Sequence, residues 1–218
     1  MSSSSNINQE VIGIDFGGVI SGGKAIDEEG NEDTRGFFGE HYLQVKAQPG
    51  AFEGVKFIVD CIGADNVYIV SKAGARTAAR TLEWLKTHDF YKQTGFAQKN
   101  HILFCRERRE KSELACSKKL TRFIDDHEQN LDFVSRGESA KFMRSTYFFV
   151  QDSVFKQLVT AQDIDAPRFR VSGWENFVEI LKKHIDATPL TKHAPTKICR
   201  FGDQCKFGKE YCRYQHPD

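Results

Sequence analysis

Val11-Ile12-Gly13-Ile14-Asp15-Phe16-Gly17-Gly18-Val19-Ile20 is a short apolar run that stops at a carboxylate and turns on two glycines. Such a run reads as a strand, and the glycines permit a tight backbone turn directly after it. Further along the chain, similar apolar runs occur at Val67-Val70, Ile102-Cys105, Arg122-Ile124 and Ser145-Val150, with Phe169-Val171 as a sixth strand candidate. Helical patterns lie between them: Ala51-Cys61, Ala75-His88 with Leu82, Leu85 and the indole of Trp84, Lys111-Leu120, and Asn130-Ser135. Trp174-Lys183 is a last amphipathic helix, with Phe177, Val178 and Leu181 on its apolar side. This alternation predicts an α/β fold with an open, mostly parallel sheet over residues 10–185.

Composition sets the bounds. The chain has 218 residues, 39% of them hydrophobic and 28% charged, with 31 Lys+Arg against 30 Asp+Glu. A chain of this length buries about 70% of its unfolded surface, so a core forms without staples. The longest apolar runs fall far short of the roughly 20 residues that cross a bilayer, which predicts no membrane partner. Residues 1–9 lack the basic start and apolar segment of a secretory signal and read as a disordered tail. The expectation is an intracellular protein of the nucleus or cytoplasm, in a reducing compartment. Of six cysteines, Cys61, Cys105 and Cys116 are scattered through the α/β region and read as core thiols, while Cys199, Cys205 and Cys212 crowd the C-terminus.

Two segments break the alternation. Residues 21–48 are rich in glycine and acidic side chains and then carry Phe37, Phe38, His41 and Tyr42. So long a structureless loop is unusual in a compact domain, so this segment is expected to be a hairpin flap or a lid, its rings packing it onto the core. Residues 186–196 hold Pro189 and Pro195 and read as a linker.

Asp15 stands at the carboxyl end of the first strand, where ligands bind in open α/β sheets. Ser71 ends the second apolar run, Lys111 opens a helix, and Asp125-Asp126 close the Phe123-Ile124 strand. Carboxylates hold a hard cation, and a hydroxyl and a lysine neutralise phosphoryl oxygens, so the set suits Mg²⁺ and a phosphate. The same residues also have structural readings. An aspartate with glycines close behind it is a common turn former, Ser71 and Asp125-Asp126 are potential helix caps, and Lys99, Lys118 and Lys119 rival Lys111.

In order and kind, Asp15-Phe16-Gly17-Gly18-Val19, Ser71, Lys111 and Asp125-Asp126 resemble the four motifs of the haloacid dehalogenase superfamily of phosphohydrolases. The resemblance covers about residues 11–183. It implies Asp15 as nucleophile and Mg²⁺ ligand, Asp125 and Asp126 as further Mg²⁺ ligands, the Gly17 backbone carbonyl as another, and Ser71 and Lys111 as phosphate holders. The superfamily's phosphatases carry a second aspartate two residues after the nucleophile, where this chain has Gly17. Loss of that general acid/base costs about 10²–10⁴ in rate. Residues 21–48 resemble a minimal cap, and an open site suits a bulky substrate such as a nucleic-acid end or a protein phosphate.

The tail from Cys199 to His216 has the spacing C-x5-C-x6-C-x3-H. Three thiolates and an imidazole close a tetrahedral Zn²⁺ shell, so residues 197–218 read as a structural zinc finger whose folding energy comes from the metal. The segment resembles the CCCH zinc-finger family. Between the ligands lie Arg200, Lys206, Lys209 and Arg213, with Phe201, Phe207, Tyr211 and Tyr214. Bases stack on rings and phosphates pair with basic groups, which points to single-stranded RNA. Some of these rings would instead form the finger's small core. A partial likeness to the poly(ADP-ribose)-binding zinc finger, and a protein partner, stay open as alternatives.

Two functions follow from the sequence. One is an Mg²⁺-dependent phosphohydrolase delivered to its substrate by the finger. The other is a non-catalytic binding module that keeps the phosphatase-type fold.

Overall fold

The structure, a computed structural model, describes residues 9–23, 25–26, 32–33, 35–98, 100–150 and 167–187. The zinc ligands Cys199, Cys205, Cys212 and His216, the RNA-contact candidates around them and residues 188–196 of the expected linker lie outside the described residues, while Asp186 and Ala187, read as the linker's start, instead end the last helix. In chain order the elements are β1 (Ile12–Ile14), β2 (Ala25–Ile26), β3 (Glu32–Asp33), α1 (Ala51–Ile62), β4 (Val67–Lys72), α2 (Ala75–Thr87), α3 (Phe90–Thr94) and β5 (Ile102–Cys105). There follow α4 (Glu110–Ser117), β6 (Arg122–Asp125), α5 (Glu128–Val134), α6 (Gly137–Ala140), β7 (Ser145–Phe149), β8 (Arg168–Val171) and α7 (Trp174–Ala187).

Six strands form one open sheet in the order β5-β4-β1-β6-β7-β8. Every pairing in it is parallel. The α/β class expected from the alternation of apolar runs and helical patterns is therefore present. β1 is fully buried, as a central parallel strand covered on both faces must be. The chain steps from β1 out to β4 and β5, then returns to the other side of β1 for β6. Strand order thus reverses between β1 and β6, and the crevice at their carboxyl ends is where such sheets take ligands. Ile14 pairs with Ile69 of β4 and with Ile124 of β6, so the next residues, Asp15 and Asp125, emerge side by side at that crevice.

The helices bury one stripe each. In α1 the buried positions are Ala51, Gly54, Val55, Ile58 and Val59, the spacing of a helix with one face on a core. In α2 they are Thr81, Trp84 and Leu85. Leu82, expected on that face, is 44% exposed because it falls a quarter-turn away from the stripe. One core cluster joins Val70, Ala115, Leu120, Phe123, Leu131, Val134 and Met143. α4 stops at Ser117, short of the expected Leu120, because Lys119 adopts φ 52°. The Leu120 amide then bonds the Ala115 carbonyl and the Lys119 amide that of Cys116, a left-handed helix stop that returns Leu120 to the core. Of the three cysteines read as core thiols, Cys105 is buried and Cys116 half-buried, but Cys61 is exposed.

Residues 21–48 contain the small antiparallel hairpin β2-β3 and two short 3-10 turns, Gly36–Phe38 and Tyr42–Gln44. The rings divide. Phe37 sits edge-on to Phe16 at 5.1 Å, and Tyr42 donates its hydroxyl to Glu83 beneath the Arg80 guanidinium. Trp84 Nε1 donates to the Val45 carbonyl at 2.7 Å, fastening the end of the segment to α2. Phe38, expected to pack like the others, is 75% exposed.

The start of β1 is held by a buried ion network. Glu10 accepts from Arg122 Nε at 3.0 Å, Arg122 Nη2 at 3.1 Å, Arg144 Nη1 at 2.8 Å and Thr121 Oγ1 at 2.7 Å. Arg122 Nη1 also donates to Ser145 Oγ at 2.7 Å and to the Tyr147 hydroxyl at 3.2 Å. Burial opposes ionisation of Glu10, but the Arg122 and Arg144 charges and the hydrogen bonds from Thr121 and Arg122 together outweigh it and lower its pKa from the usual carboxylate value. A lowered carboxyl pKa contributes stability above its unfolded value and loses it as pH falls through the folded one. Glu10→Gln, which strands Arg122 in the interior, should cost about 3–5 kcal/mol in urea denaturation at neutral pH. That difference should shrink as the medium is acidified through the carboxyl range.

Candidate active site

Three of the four expected motifs converge on one point. Lys111 Nζ donates to Asp15 Oδ1 at 2.7 Å and to Asp125 Oδ2 at 2.6 Å. Lys111 is only 1% exposed: position 111, in the first turn of α4, faces the sheet end instead of solvent. Its rivals stand elsewhere. Lys118 Nζ lies over the Tyr68 ring and Lys119 Nζ over that of Phe142, and Lys99 is outside the described residues.

Asp15 donates its amide to the Ile124 carbonyl at 2.9 Å, continuing the β1–β6 pairing. Its Oδ2 makes no hydrogen bond among the described residues. Asp125 accepts hydrogen bonds at both oxygens. Its Oδ1 accepts from the His127 amide at 2.8 Å and from Asn130 Nδ2 at 2.9 Å, and its Oδ2 from Asn130 Nδ2 at 3.0 Å as well as from Lys111. The capping reading of Asp125 therefore holds in part, since one of its oxygens does bond the turn into α5. Ser71 lies buried on β4, beside β1 and at the same sheet end as Asp15. It is a strand residue rather than a helix cap, the N-cap of α2 being Gly74.

Asp126 is exposed as a residue, but its carboxyl lies against the Gly17-Gly18 turn. Gly18 has φ +77°, and a Cβ built on it would lie 2.0 Å from Asp126 Oδ2. Both its backbone and its surroundings thus demand glycine. Gly17 differs: a Cβ there meets no atom within 4 Å.

Oxygens of Asp15, Asp125 and Asp126 lie within 4.8 Å of one another, a grouping of metal-ligand type among the described residues. Oxygens on opposite sides of one Mg²⁺ stand about 4.2 Å apart, so the set fits such an ion after a shift of under about 1 Å. Charge favours it too. Three carboxylates face one ammonium, leaving two negative charges that a divalent cation would balance. Without a cation the imbalance favours proton uptake. Burial, reinforced by Asp125 and Asp126 and opposed by Lys111, raises Asp15 to about 7. Desolvation and the Asp125 charge raise Asp126 to about 6. Burial would lower Lys111, but Asp15 and Asp125 outweigh it and hold the ammonium charged.

Raised carboxyl pKa values make metal and proton competitors. Mg²⁺ affinity should increase as pH rises from about 5 to about 8, with proton release on binding. Calorimetry in two buffers of different ionisation heat would count those protons. An affinity that stays flat over this range would mean that no carboxyl gives up a proton to the ion.

Asn130 is a site residue that the sequence reading missed. It grips both oxygens of Asp125, and its own Oδ1 is buried without a hydrogen-bond partner among the described residues. Its signal was faint: one amide a helical turn beyond the acidic pair.

No protein-family model matches the chain, and no curated protein matches it. Among the described residues, no helix is long and apolar enough to cross a membrane.

Proposed function

We propose that the chain is an Mg²⁺-dependent phosphohydrolase-type protein acting on a bulky phosphate, with Asp15 as the nucleophile. The observation that carries this reading is the Asp15–Lys111–Asp125 bridge at the sheet's switch point, with Asp15 Oδ2 accepting no hydrogen bond among the described residues. Asp15, Asp125 and Asp126 would hold Mg²⁺, with the Gly17 carbonyl as a further ligand. The bound ion would supply charge neutralisation to a phosphoryl group.

The chain's own residues do the rest. Lys111 fixes Asp15 through Oδ1, so that Oδ2 faces the phosphorus. Asn130 and the His127 amide lock Asp125 in place. Asp15 Oδ2 attacks phosphorus, the bond to the leaving oxygen breaks, and that oxygen departs with its electron pair. Water then attacks the phosphorus of the aspartyl phosphate, releasing phosphate and restoring the carboxylate. Ser71 and Lys111 hold the phosphoryl oxygens. With Gly17 in place of an acid/base, no positioned proton donor serves the first step and no base the second. Leaving groups that need little protonation are therefore favoured, and the second step is slow.

Gly17 also favours a second reading, in which the α/β domain binds Mg²⁺ and phosphate without turnover and the chain acts as a binding module. Phosphate release from an aryl phosphate and from a 5′-phosphorylated oligonucleotide in Mg²⁺ separates the two. Turnover that is lost in Asp15→Asn supports the enzyme, and turnover unchanged by Asp15→Asn would place the chemistry elsewhere.

For the C-terminal segment the proposal is a structural Zn²⁺ on Cys199, Cys205, Cys212 and His216, and a single-stranded RNA partner. It rests on the ligand spacing and on the interleaved basic and aromatic residues. Metal analysis should find a single equivalent of zinc, lost in Cys212→Ala together with the part of the RNA affinity that the finger supplies. An RNA affinity unchanged in that variant would refute the assignment.

A further inference from the structure

Beside the acidic cluster, the same edge of the sheet carries the opposite charge. Lys72 follows Ser71 at the end of β4. Arg106, Arg108 and Arg109 form the connection from β5 into α4, just before Lys111. Gln129 and Phe133 flank Asn130 on α5. These side chains, with Glu107, line an open groove of about 380 Å³.

Cations outnumber carboxylates in the lining, with Lys72, Arg106, Arg108 and Arg109 against Glu107, and Glu110 lies beside Arg106 on the same connection. Glu107 pairs with Arg109 at 2.7 Å, while Lys72, Arg106 and Arg108 have no carboxylate at ion-pairing distance among the described residues. The connection is also pre-shaped. Glu110 Oε2 accepts the amides of Arg106 at 2.8 Å and Glu107 at 3.2 Å, and the Lys111 amide bonds the Arg108 carbonyl at 3.1 Å. The segment that presents the arginines is thus the one that delivers Lys111 to Asp15. The Arg108 charge is close enough to act on Asp126, so groove and site adjoin.

A lone phosphate at Asp15 would already be matched by Lys111, Ser71 and the metal. Three further cations call for an anion that continues beyond that phosphate. The half-buried Phe133 ring and the Gln129 amide add a stacking face and a hydrogen-bonding group, and planar guanidiniums suit both phosphates and bases. An acidic peptide would use the cations but not the stacking face.

We propose that this groove holds a single-stranded nucleic acid whose terminal phosphate enters the Asp15 site. The delivery of that phosphate rests on the phosphohydrolase reading, whereas binding of the strand in the groove does not.

The test uses the full chain with Cys212→Ala throughout, so that the proposed finger does not mask the effect. The probe is a labelled, 5′-phosphorylated oligothymidylate of about ten nucleotides, long enough to span the groove. Lys72→Gln/Arg106→Gln/Arg108→Gln should weaken its binding roughly tenfold or more at low salt. The slope of log Kd against log salt should become shallower by about 2 for three lost phosphate contacts. Arg106→Gln alone, on an exposed side chain, should shift it by about 0.7. In turnover, the preference in kcat/KM for the oligonucleotide over an aryl phosphate should fall in the triple variant. Unchanged affinity and slope, or equal binding of a phosphopeptide of the same charge, overturns the groove proposal. A groove-dependent affinity in a chain with no turnover upholds the groove and removes the hydrolase reading. Aryl-phosphate turnover with no groove dependence does the reverse.

Discussion

Gly17→Asp should raise the hydrolysis of unactivated phosphate esters by about 10²–10⁴-fold, the usual contribution of a positioned general acid/base. In barrier terms this is roughly 3–5 kcal/mol. The structure permits the change: a Cβ at Gly17 meets nothing within 4 Å, and its backbone lies outside the left-handed region. Its neighbour is the natural control. Gly18→Ala forces a Cβ into the Asp126 carboxylate from a backbone at φ +77°, and it should weaken Mg²⁺ binding without any gain in rate. The gain in Gly17→Asp should be larger for alkyl than for aryl phosphates, because an alkoxide needs a proton more than a phenolate does. Equal kinetics in wild type and Gly17→Asp would mean that the step is not limited by a missing acid/base.

Lys111→Met should be the most destabilising single change at the site. It removes the one cation between two buried carboxylates and leaves both unpaired. Breaking a buried pair in this way costs about 3–5 kcal/mol, which for a domain of this size lowers Tm by about 6–20 °C. The variant also has a signature that a packing defect lacks. With Lys111 gone, the cluster has one more uncompensated negative charge, so millimolar Mg²⁺ should recover part of the lost Tm while phosphate turnover stays abolished. Acidification should recover part of it too, because carboxylates without a cation regain neutrality by binding protons. Thermal melts with and without Mg²⁺, at neutral and mildly acidic pH, give all three readouts. A Tm loss indifferent to both would point to packing alone.

The sheet was legible because each strand is a short apolar run that ends in a polar or turn residue, and such runs have few other uses in a chain of mixed charge. Asp15 and Asp125-Asp126 were legible for the same reason, as carboxylates where those runs stop. Lys111 was not legible from periodicity, which treats a helical lysine as solvated. Its place followed only from its order among the motifs, and the physical reason for its burial is the pair of carboxylates it bridges. α3 and α6 passed unread because five and four residues do not complete enough turns to show a helical period. Phe38, Leu82 and Cys61 were expected to be covered and are exposed, since apolar composition does not say which way a side chain points. Asn130 and the basic groove escaped for a different reason. Each is made by contacts between segments far apart in the chain, and no local pattern records that Lys72, Arg106 and Phe133 share a surface.

The central claim is that Asp15 takes the phosphoryl group and, without an aspartate at position 17, releases it slowly. The direct measurement is acid-quenched mass spectrometry of the chain after brief incubation with Mg²⁺ and an aryl phosphate. The expected result is one phosphoryl group on the peptide containing Asp15 in wild type, much less of it in Gly17→Asp as the second step accelerates, and none in Asp15→Asn. Phosphate release without any label on that peptide, or a label that persists in Asp15→Asn, would contradict it.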